Sequence, residues 1–318
     1  MNITIKAAAE LLLQQDNIVV LAHQKPDGDT LGSSFGLLYA LEQLGKTARV
    51  ECADGYPEKF SFLFGSYVPK EFPASFVVAA DVADTSLLGD KAERYPRVDL
   101  CIDHHKSNGL FAVHTLLDPV SPATTQIIHS VIVAMGARPD KAIANALYTG
   151  LSTDTGCFKF GNVTPATHLV AAELINCGAE HGMINKVMFD TKTPGRLEVE
   201  RLMMDNLRYH FDGRCAVVAL EADIKERFHV TEEDLDGIAA FPRRIQGVLA
   251  GVTIRAKEDG SYRVSLRTEG PLDASRVCMQ FGGGGHARAA GCTLKGAFED
   301  IHAKLLAGIA GELSLNGL

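Results

Sequence analysis

Eight side chains of the types that metal-assisted chemistry requires fall into four short runs of this 318-residue chain. His23, Asp27 and Asp29 lie in HQKPDGD, Asp81 in VAADVAD, Asp103, His104 and His105 in IDHH, and Asp154 in STDTG. Carboxylates and imidazoles without a thiolate suit Mn2+, Fe2+, Co2+ or Mg2+ better than a structural zinc ion. Carboxylates crowded at one point repel unless divalent cations sit among them. Two such cations, bridged by one carboxylate and sharing an activated hydroxide, are the usual arrangement for hydrolysing a phosphate ester.

Each run alone has a plainer reading. Asp27-Gly28-Asp29 is compatible with a turn in which Asp29 caps a helix starting at Thr30. His23 is compatible with a satisfied histidine at a strand end, and Asp81 with a loop cap. What joins the runs is the order of the elements. Short β-rich runs cover 17–22 (NIVVLA), 75–80 (SFVVAA) and 98–102 (VDLCI), and each is followed at once by one of the His/Asp runs. Helical patterns cover 30–44, 121–135, 139–152 and 165–176, punctuated by Gly45, Gly136, Pro139 and Gly178. Near-continuous apolar strands alternating with helices imply a parallel sheet covered on both faces. Sites in such sheets form beyond the carboxyl ends of the strands, so three strand ends deliver these residues to one edge. Asp154, at the end of a helix, can join them.

The pattern changes after an amphipathic stretch at 194–210. A strand is expected at 214–220, and the runs 247–257 and 261–268 flank the hairpin-turn pair Asp259-Gly260. The expected fold class is α/β: an N-terminal, doubly wound, mainly parallel sheet and a smaller α/β C-terminal domain with a mixed sheet, with the active-site cleft between them. Residues 1–194 are read as the catalytic domain, 195–210 as a connecting helix and 211–318 as a substrate-binding domain.

Composition narrows the partners. A net charge of −8 disfavours binding to long duplex nucleic acid, which calls for a basic face. The seven cysteines form no C-x-x-C pair, and Cys101 and Cys215 sit in apolar runs as buried thiols. Residues 1–10 lack a signal-peptide layout and no apolar run approaches about 20 residues, so a cytoplasmic protein without membrane association is expected.

The four runs, HQKPDGDTLGS, VAADVAD, IDHH and STDTGCF, resemble in order and spacing the motifs of the DHH phosphoesterase superfamily. The resemblance implies one metal on His23, Asp27 and Asp81, and a second on Asp29, Asp81, His104 and Asp154. It implies Mn2+ first, with Mg2+, Co2+ or Fe2+ as alternatives. His105 then faces the scissile phosphate and helps the leaving oxygen depart, while Asp103 orients a histidine. The run GGGGHARAAG at 282–291 resembles the GGGH motif of the DHH-associated domain. It implies a phosphate approached by Gly283, Gly284 and Gly285, contacted by His286, Ser265 and Arg267, and also by Arg288. Arg243, Arg244, Arg255 and Arg263 are read as solvated.

Compact two-domain chains of this kind resemble bifunctional oligoribonucleases that also remove the 3′-phosphate of 3′-phosphoadenosine-5′-phosphate (pAp). Short RNA oligonucleotides or nucleotides are the implied substrates, with longer chains excluded, and a homodimer is compatible with the resemblance. The alternatives are a cyclic-dinucleotide phosphodiesterase, a RecJ-like single-strand exonuclease and, outside enzymes, a non-catalytic nucleotide-binding module. One departure stands out. The segment 82–88 has no basic residue, and Lys159 is the nearest candidate to replace it.

Overall fold

The computed structural model describes residues 1–65, 67–235 and 237–318, which form two compact units, Met1–Thr191 and Lys192–Leu318. Five strands build the sheet of the first: β1 (Ile18–Leu21), β2 (Ala48–Glu51), β3 (Phe76–Ala80), β4 (Leu100–Asp103) and β5 (His114–Leu117). All pair in parallel, in the order β2-β1-β3-β4-β5. Side chains alternate across a strand, and here both faces are dry. Ile18, Val20, Val78, Ala80, Leu100 and Ile102 enter a large core with α1 (Ile5–Leu13), α2 (Gly28–Gln43), α3 (Thr124–Ala134), α4 (Lys141–Asp154) and α5 (Pro165–Asn176). Val19, Leu21, Val77, Ala79 and Cys101 enter a smaller core closed by Val82, Leu88, Tyr95, Val98 and Ala112.

β1, β3 and β4 are the three strands expected from sequence; β2 and β5 had no comparable apolar run. The run Ala48-Arg-Val-Glu51 looks solvated, yet Arg49 is buried because its charge is paired. Its Nε donates to Glu51 Oε1 at 2.7 Å and its Nη2 to the Tyr95 hydroxyl at 2.9 Å, and the guanidinium lies 4.3 Å from the centre of the Phe72 ring.

The contact that matters most for the site is between α2 and α4. Gly28, Gly32 and Gly36, four residues apart, share one face of α2. A Cβ at Gly32 would lie 2.4 Å from the Ala146 carbonyl, and one at Gly150 would lie 2.7 Å from Asp29 Oδ1. The two helix backbones therefore touch, which draws Asp29 and Asp154 together. Helix propensity alone would make Gly32→Ala stabilising by about 1 kcal/mol. We expect instead a net loss of about 1–3 kcal/mol from overpacking, read from the urea midpoint. A stabilised variant would mean the helices separate at little cost.

The second unit holds β6 (Arg208–His210), β7 (Cys215–Leu220), β8 (Ala250–Ala256), β9 (Ser261–Thr268), β10 (Gly284–His286) and β11 (Ala289–Lys295), ordered β10-β11-β9-β8-β7-β6. Only β7 and β8 run parallel, so the sheet is mixed. Val252, Ile254, Val264, Leu266, Ala290 and Cys292 face α7 (Ala274–Met279) and α8 (Phe298–Leu315), while Val218 and Leu220 face α6 (Pro194–Asp205).

The stretch 195–210, expected as a connecting helix, is helical only to Asp205. Asn206 ends the helix and donates through Nδ2 to the Ala219 carbonyl at 3.2 Å, and the next residues leave as the edge strand β6. At the β8–β9 turn, Asp259 Oδ1 accepts from the Ser261 amide at 3.0 Å, and Gly260 takes φ +76°. All seven cysteines are free, and Cys101 and Cys215 are buried. No helix among the described residues is long and apolar enough to cross a membrane.

Candidate metal centre

Four elements bring the His/Asp runs together. His23 stands two residues beyond β1, Asp81 directly follows β3, Asp103 ends β4 and Asp154 ends α4. Their possible ligand atoms fall into groups, each lying within 4.8 Å: His23, Asp27 and Asp81; Asp29, His104 and Asp154; and Asp81, His104 and His105. Asp81 links them. Its Oδ2 lies 3.8 Å from His23 Nε2, while its Oδ1 lies 3.7 Å from His104 Nε2.

Both imidazoles are aimed by their other nitrogen. His23 Nδ1 is 2.7 Å from the Gln24 carbonyl, and His104 Nδ1 is 3.2 Å from the Ser121 carbonyl. A carbonyl only accepts, so each Nδ1 carries the proton and each Nε2 keeps a free lone pair. His104 Nε2 is buried without a hydrogen-bond partner, yet carboxylate oxygens of Asp154, Asp81 and Asp29 surround it at 3.4, 3.7 and 3.9 Å. Such an atom fits a cation held between it and those oxygens.

The carboxylates fit it too. Burial pushes the Asp29 carboxyl up, and pushes Asp81 well above the usual range, with the charges of Asp29, Asp27 and Asp154 adding to the rise. Burial followed by the charges of Asp29 and Asp27 pushes Asp154 up to about 9. Without cations Asp154 keeps its proton at neutral pH; divalent ions remove that penalty. Asp81 also takes φ +61°, a left-handed conformation that costs a β-carbon-bearing residue about 1–2 kcal/mol.

The capping role offered to Asp29 from the sequence belongs to Asp27, whose Oδ1 accepts from the amides of Asp29 and Thr30 at 3.0 and 3.1 Å. Asp29 lies inside α2, wholly buried, and is held by residues that nothing in the sequence singled out. The Thr124 and Thr125 amides, at the start of α3, donate to its Oδ2 and Oδ1 at 2.6 and 2.9 Å, and the Thr125 hydroxyl donates to Oδ1 at 2.8 Å. The Thr124 hydroxyl donates to Asp81 Oδ1 at 2.8 Å. Thr124 therefore fixes the spacing of two carboxylates at once. Replacing it with valine is expected to weaken Mn2+ binding by about 10–100-fold, with serine restoring most of it. Mn2+ titration followed by melting temperature checks this, and equal affinity in wild type and valine variant would sink it.

Asp103 is paired with the other histidine. Its Oδ1 lies 2.8 Å from His105 Nδ1, and its Oδ2 accepts from Asn108 Nδ2 at 2.6 Å. Burial opposes its charge, but these hydrogen bonds outweigh it and hold the carboxyl below the usual range. The same bond to Asp103 raises His105, against burial. Asn108 is a further residue the sequence reading passed over. The Lys159 ammonium is 5.9 Å from the Phe189 ring centre.

In the second unit, Ser265, Arg267, Gly284 and Gly285 line a cavity of about 390 Å3. Gly283 packs under it, since a Cβ there would lie 2.2 Å from the Gly291 carbonyl. His286 is exposed and sits in one register row with Ala289 and Arg267. Arg288 is not at this cavity. It donates to the Leu272 carbonyl at 2.9 Å and lines a neighbouring cavity with Arg243 and Arg267. Two arginines read as solvated are ion-paired, Arg243 with Glu269 and Arg255 with Glu232. Arg263, read the same way, lines the cavity beside Arg267.

Residues 17–151 match the family model for the DHH family, N-terminal domain, and residues 212–311 match that for the DHHA1 domain. The bifunctional oligoribonuclease and PAP phosphatase NrnA of Thermus thermophilus is 33% identical over 98% of this chain and 95% of its own length. The protein of the same name from Bacillus subtilis is 26% identical over 88% of this chain and 90% of its own. Among solved structures, an exopolyphosphatase-related protein from Bacteroides fragilis shares the fold with a TM-score of 0.87, at 23% identity, covering 98% of this chain and 96% of that one.

Proposed function

Because the chain belongs to the DHH family and is a hydrolase of phosphoester bonds, we propose that it cleaves short RNA oligonucleotides to 5′-mononucleotides and converts pAp to AMP. The observation that carries the reading is Asp81, whose two oxygens face two separate His/Asp groups. His23, Asp27 and Asp81 would hold one cation, and Asp29, Asp81, His104 and Asp154 a second. Mn2+ is the first choice, since the donors are carboxylates and imidazoles and no thiolate is among them. Such ions supply Lewis acidity toward phosphoryl oxygens and make water more acidic.

The chain's own residues do the rest. Asp27, more exposed than the other carboxylates, borders solvent where substrate enters. Thr124, Thr125, Gln24 and Ser121 hold the carboxylates and imidazoles in place before substrate arrives, so little reorganisation accompanies the reaction. His105 is half-exposed, with Nδ1 held by Asp103. Its Nε2 gives a proton to the leaving oxygen, and the paired carboxylate stabilises the protonated ring beforehand. Arg267, Ser265, the glycines 283–285 and His286 take a phosphate that is not being cleaved. The names of the relatives support the choice of substrate.

The test is direct. Purified protein with Mn2+ is expected to release mononucleotides from a dinucleotide and phosphate from pAp, and His104→Ala is expected to lose both activities. Wild-type protein inactive on both substrates with Mn2+, Mg2+ and Co2+ would overturn the reading. Equal rates on long RNA and on a dinucleotide would overturn the restriction to short chains.

A further inference from the structure

The turn that follows Asp154 is strained, and it ends on an aromatic ring left in water. Gly156, Cys157 and Phe158 take φ of +56°, +58° and +61° in succession. Two of them carry a β-carbon, at a cost of about 1–2 kcal/mol each. The chain thereby doubles back. The Phe160 amide donates to the Thr155 carbonyl at 3.0 Å, and the Phe160 ring lies on Gly156, where a Cβ would come within 2.4 Å of it. Asn162 fastens the returning segment, with Nδ2 at 3.2 Å from the Asp154 carbonyl and 3.3 Å from the Pro122 carbonyl.

Packing accounts for Phe158, whose ring meets Tyr148 and His168, but not for Phe160. Phe160 is 58% exposed, the only exposed Phe or Tyr among the described residues of the first unit. Its place is beside the metal centre. Gly156, which it covers, is within about 7 Å of the Asp154 Cα. Pro122 adjoins Ser121, whose carbonyl orients His104, and the His104 and His105 rings are 4.5 Å apart. Phe160 thus stands on the His105 side of the sheet edge, while His23 and Asp27 follow β1, beyond β3. The surface next to the ring is apolar. The Val163 amide donates to the Phe160 carbonyl at 3.3 Å, and Val163, Thr164, Pro165, His168 and Leu169 line an open cavity of about 600 Å3 without carboxylate, ammonium or guanidinium. An exposed ring in apolar surroundings suits the flat face of a base, not a phosphate.

We propose that the Phe160 ring stacks on the base of the nucleoside whose 3′-oxygen leaves in the reaction. This rests on the reading of the protein as an oligoribonuclease and pAp phosphatase. Both reactions break the bond from phosphorus to a 3′-oxygen, and His105 serves that oxygen. The nucleoside on that side is the 5′ one of a dinucleotide and the adenosine of pAp. Every base has a π-face, so the ring positions the leaving nucleoside without selecting a sequence.

The experiment compares pAp with ribose 3′,5′-bisphosphate, which lacks the base, in wild type, Phe160→Ala and Phe160→Tyr. For pAp, kcat/KM is expected to fall about tenfold in the alanine variant, mainly through KM, and to be largely kept in the tyrosine variant. For ribose bisphosphate it should not change. Equal losses on both substrates would make Phe160 a structural residue and overturn the proposal, as would an unchanged rate on pAp. Binding of AMP and of ribose 5-phosphate to the Mn2+-loaded full-length protein separates this from the functional reading. Wild type that cleaves neither pAp nor a dinucleotide overturns that reading. The stacking site still stands if this protein binds AMP about tenfold more tightly than ribose 5-phosphate and Phe160→Ala removes the difference. It fails if the difference is absent or survives in the alanine variant.

Discussion

Asp81→Asn is expected to abolish hydrolysis, by about a thousandfold, and yet to raise the melting temperature of the metal-free protein. The activity loss follows from position: one Asp81 oxygen lies toward His23 and the other toward His104. The gain in stability follows from electrostatics. The Asp81 carboxyl is buried beside Asp29, Asp27 and Asp154 and stands well above its usual range. An acid whose pKa is higher folded than unfolded takes up protons on folding, so stability falls as pH rises between the two values. For Asp154 that window runs from 3.8 to about 9, so at neutral pH the metal-free cluster bears part of this cost. An asparagine is neutral without taking up a proton, keeps an oxygen for the Thr124 hydroxyl and tolerates the left-handed φ of +61° better than most residues. Each kcal/mol relieved raises the midpoint by about 2–4 °C in a unit of this size. Melting curves in EDTA and in Mn2+ check it. The variant should melt above wild type in EDTA and lose most of the Mn2+-dependent rise. Melting below wild type in EDTA would show that Asp81 is stabilising without metal.

His105→Ala is expected to slow dinucleotide hydrolysis by about 10²–10⁴-fold while leaving metal binding in place. Its Nδ1 is occupied by Asp103 at 2.8 Å, and its ring is 44% exposed, which suits proton transfer to substrate better than ligation. A ribose oxygen leaves poorly without a proton; a p-nitrophenolate leaves without help. The loss should therefore shrink to less than about tenfold on a p-nitrophenyl ester of a nucleotide. His105 Nδ1 also lies 3.6 Å from Asp81 Oδ1, which makes it the competing candidate for a metal ligand. The two roles separate cleanly. A ligand's removal would erase the Mn2+-dependent rise in melting temperature and slow both substrates alike.

Much of the site is legible in the sequence because its residues are local to strand ends. A buried parallel strand must be apolar along its length, so polar His and Asp directly after 17–22, 75–80 and 98–102 mark the sheet's carboxyl edge. What was missed is non-local. Asp29 looked like a cap because caps are judged from neighbours in sequence. Its partners, Thr124 and Thr125, are 95 and 96 residues away. β2 was missed because Arg49 reads as solvated until Glu51, Tyr95 and Phe72 close around it. Arg263 was set aside for a related reason: a lone arginine on a strand has no meaning until its neighbours are found paired or unpaired.

The sequence by itself determined the residue types at four places along the chain, and with them a donor set of carboxylates and imidazoles. It also determined the alternation of strands and helices that sends those places to one edge. Tertiary structure alone decided that Asp81 faces two groups, that Asp29 is buried on the start of α3, and that Asp103 serves His105. Chemical identity and short-range periodicity are properties of the chain. Distances between side chains far apart in sequence are set by packing, here by glycines 28, 32 and 36 letting α2 and α4 touch.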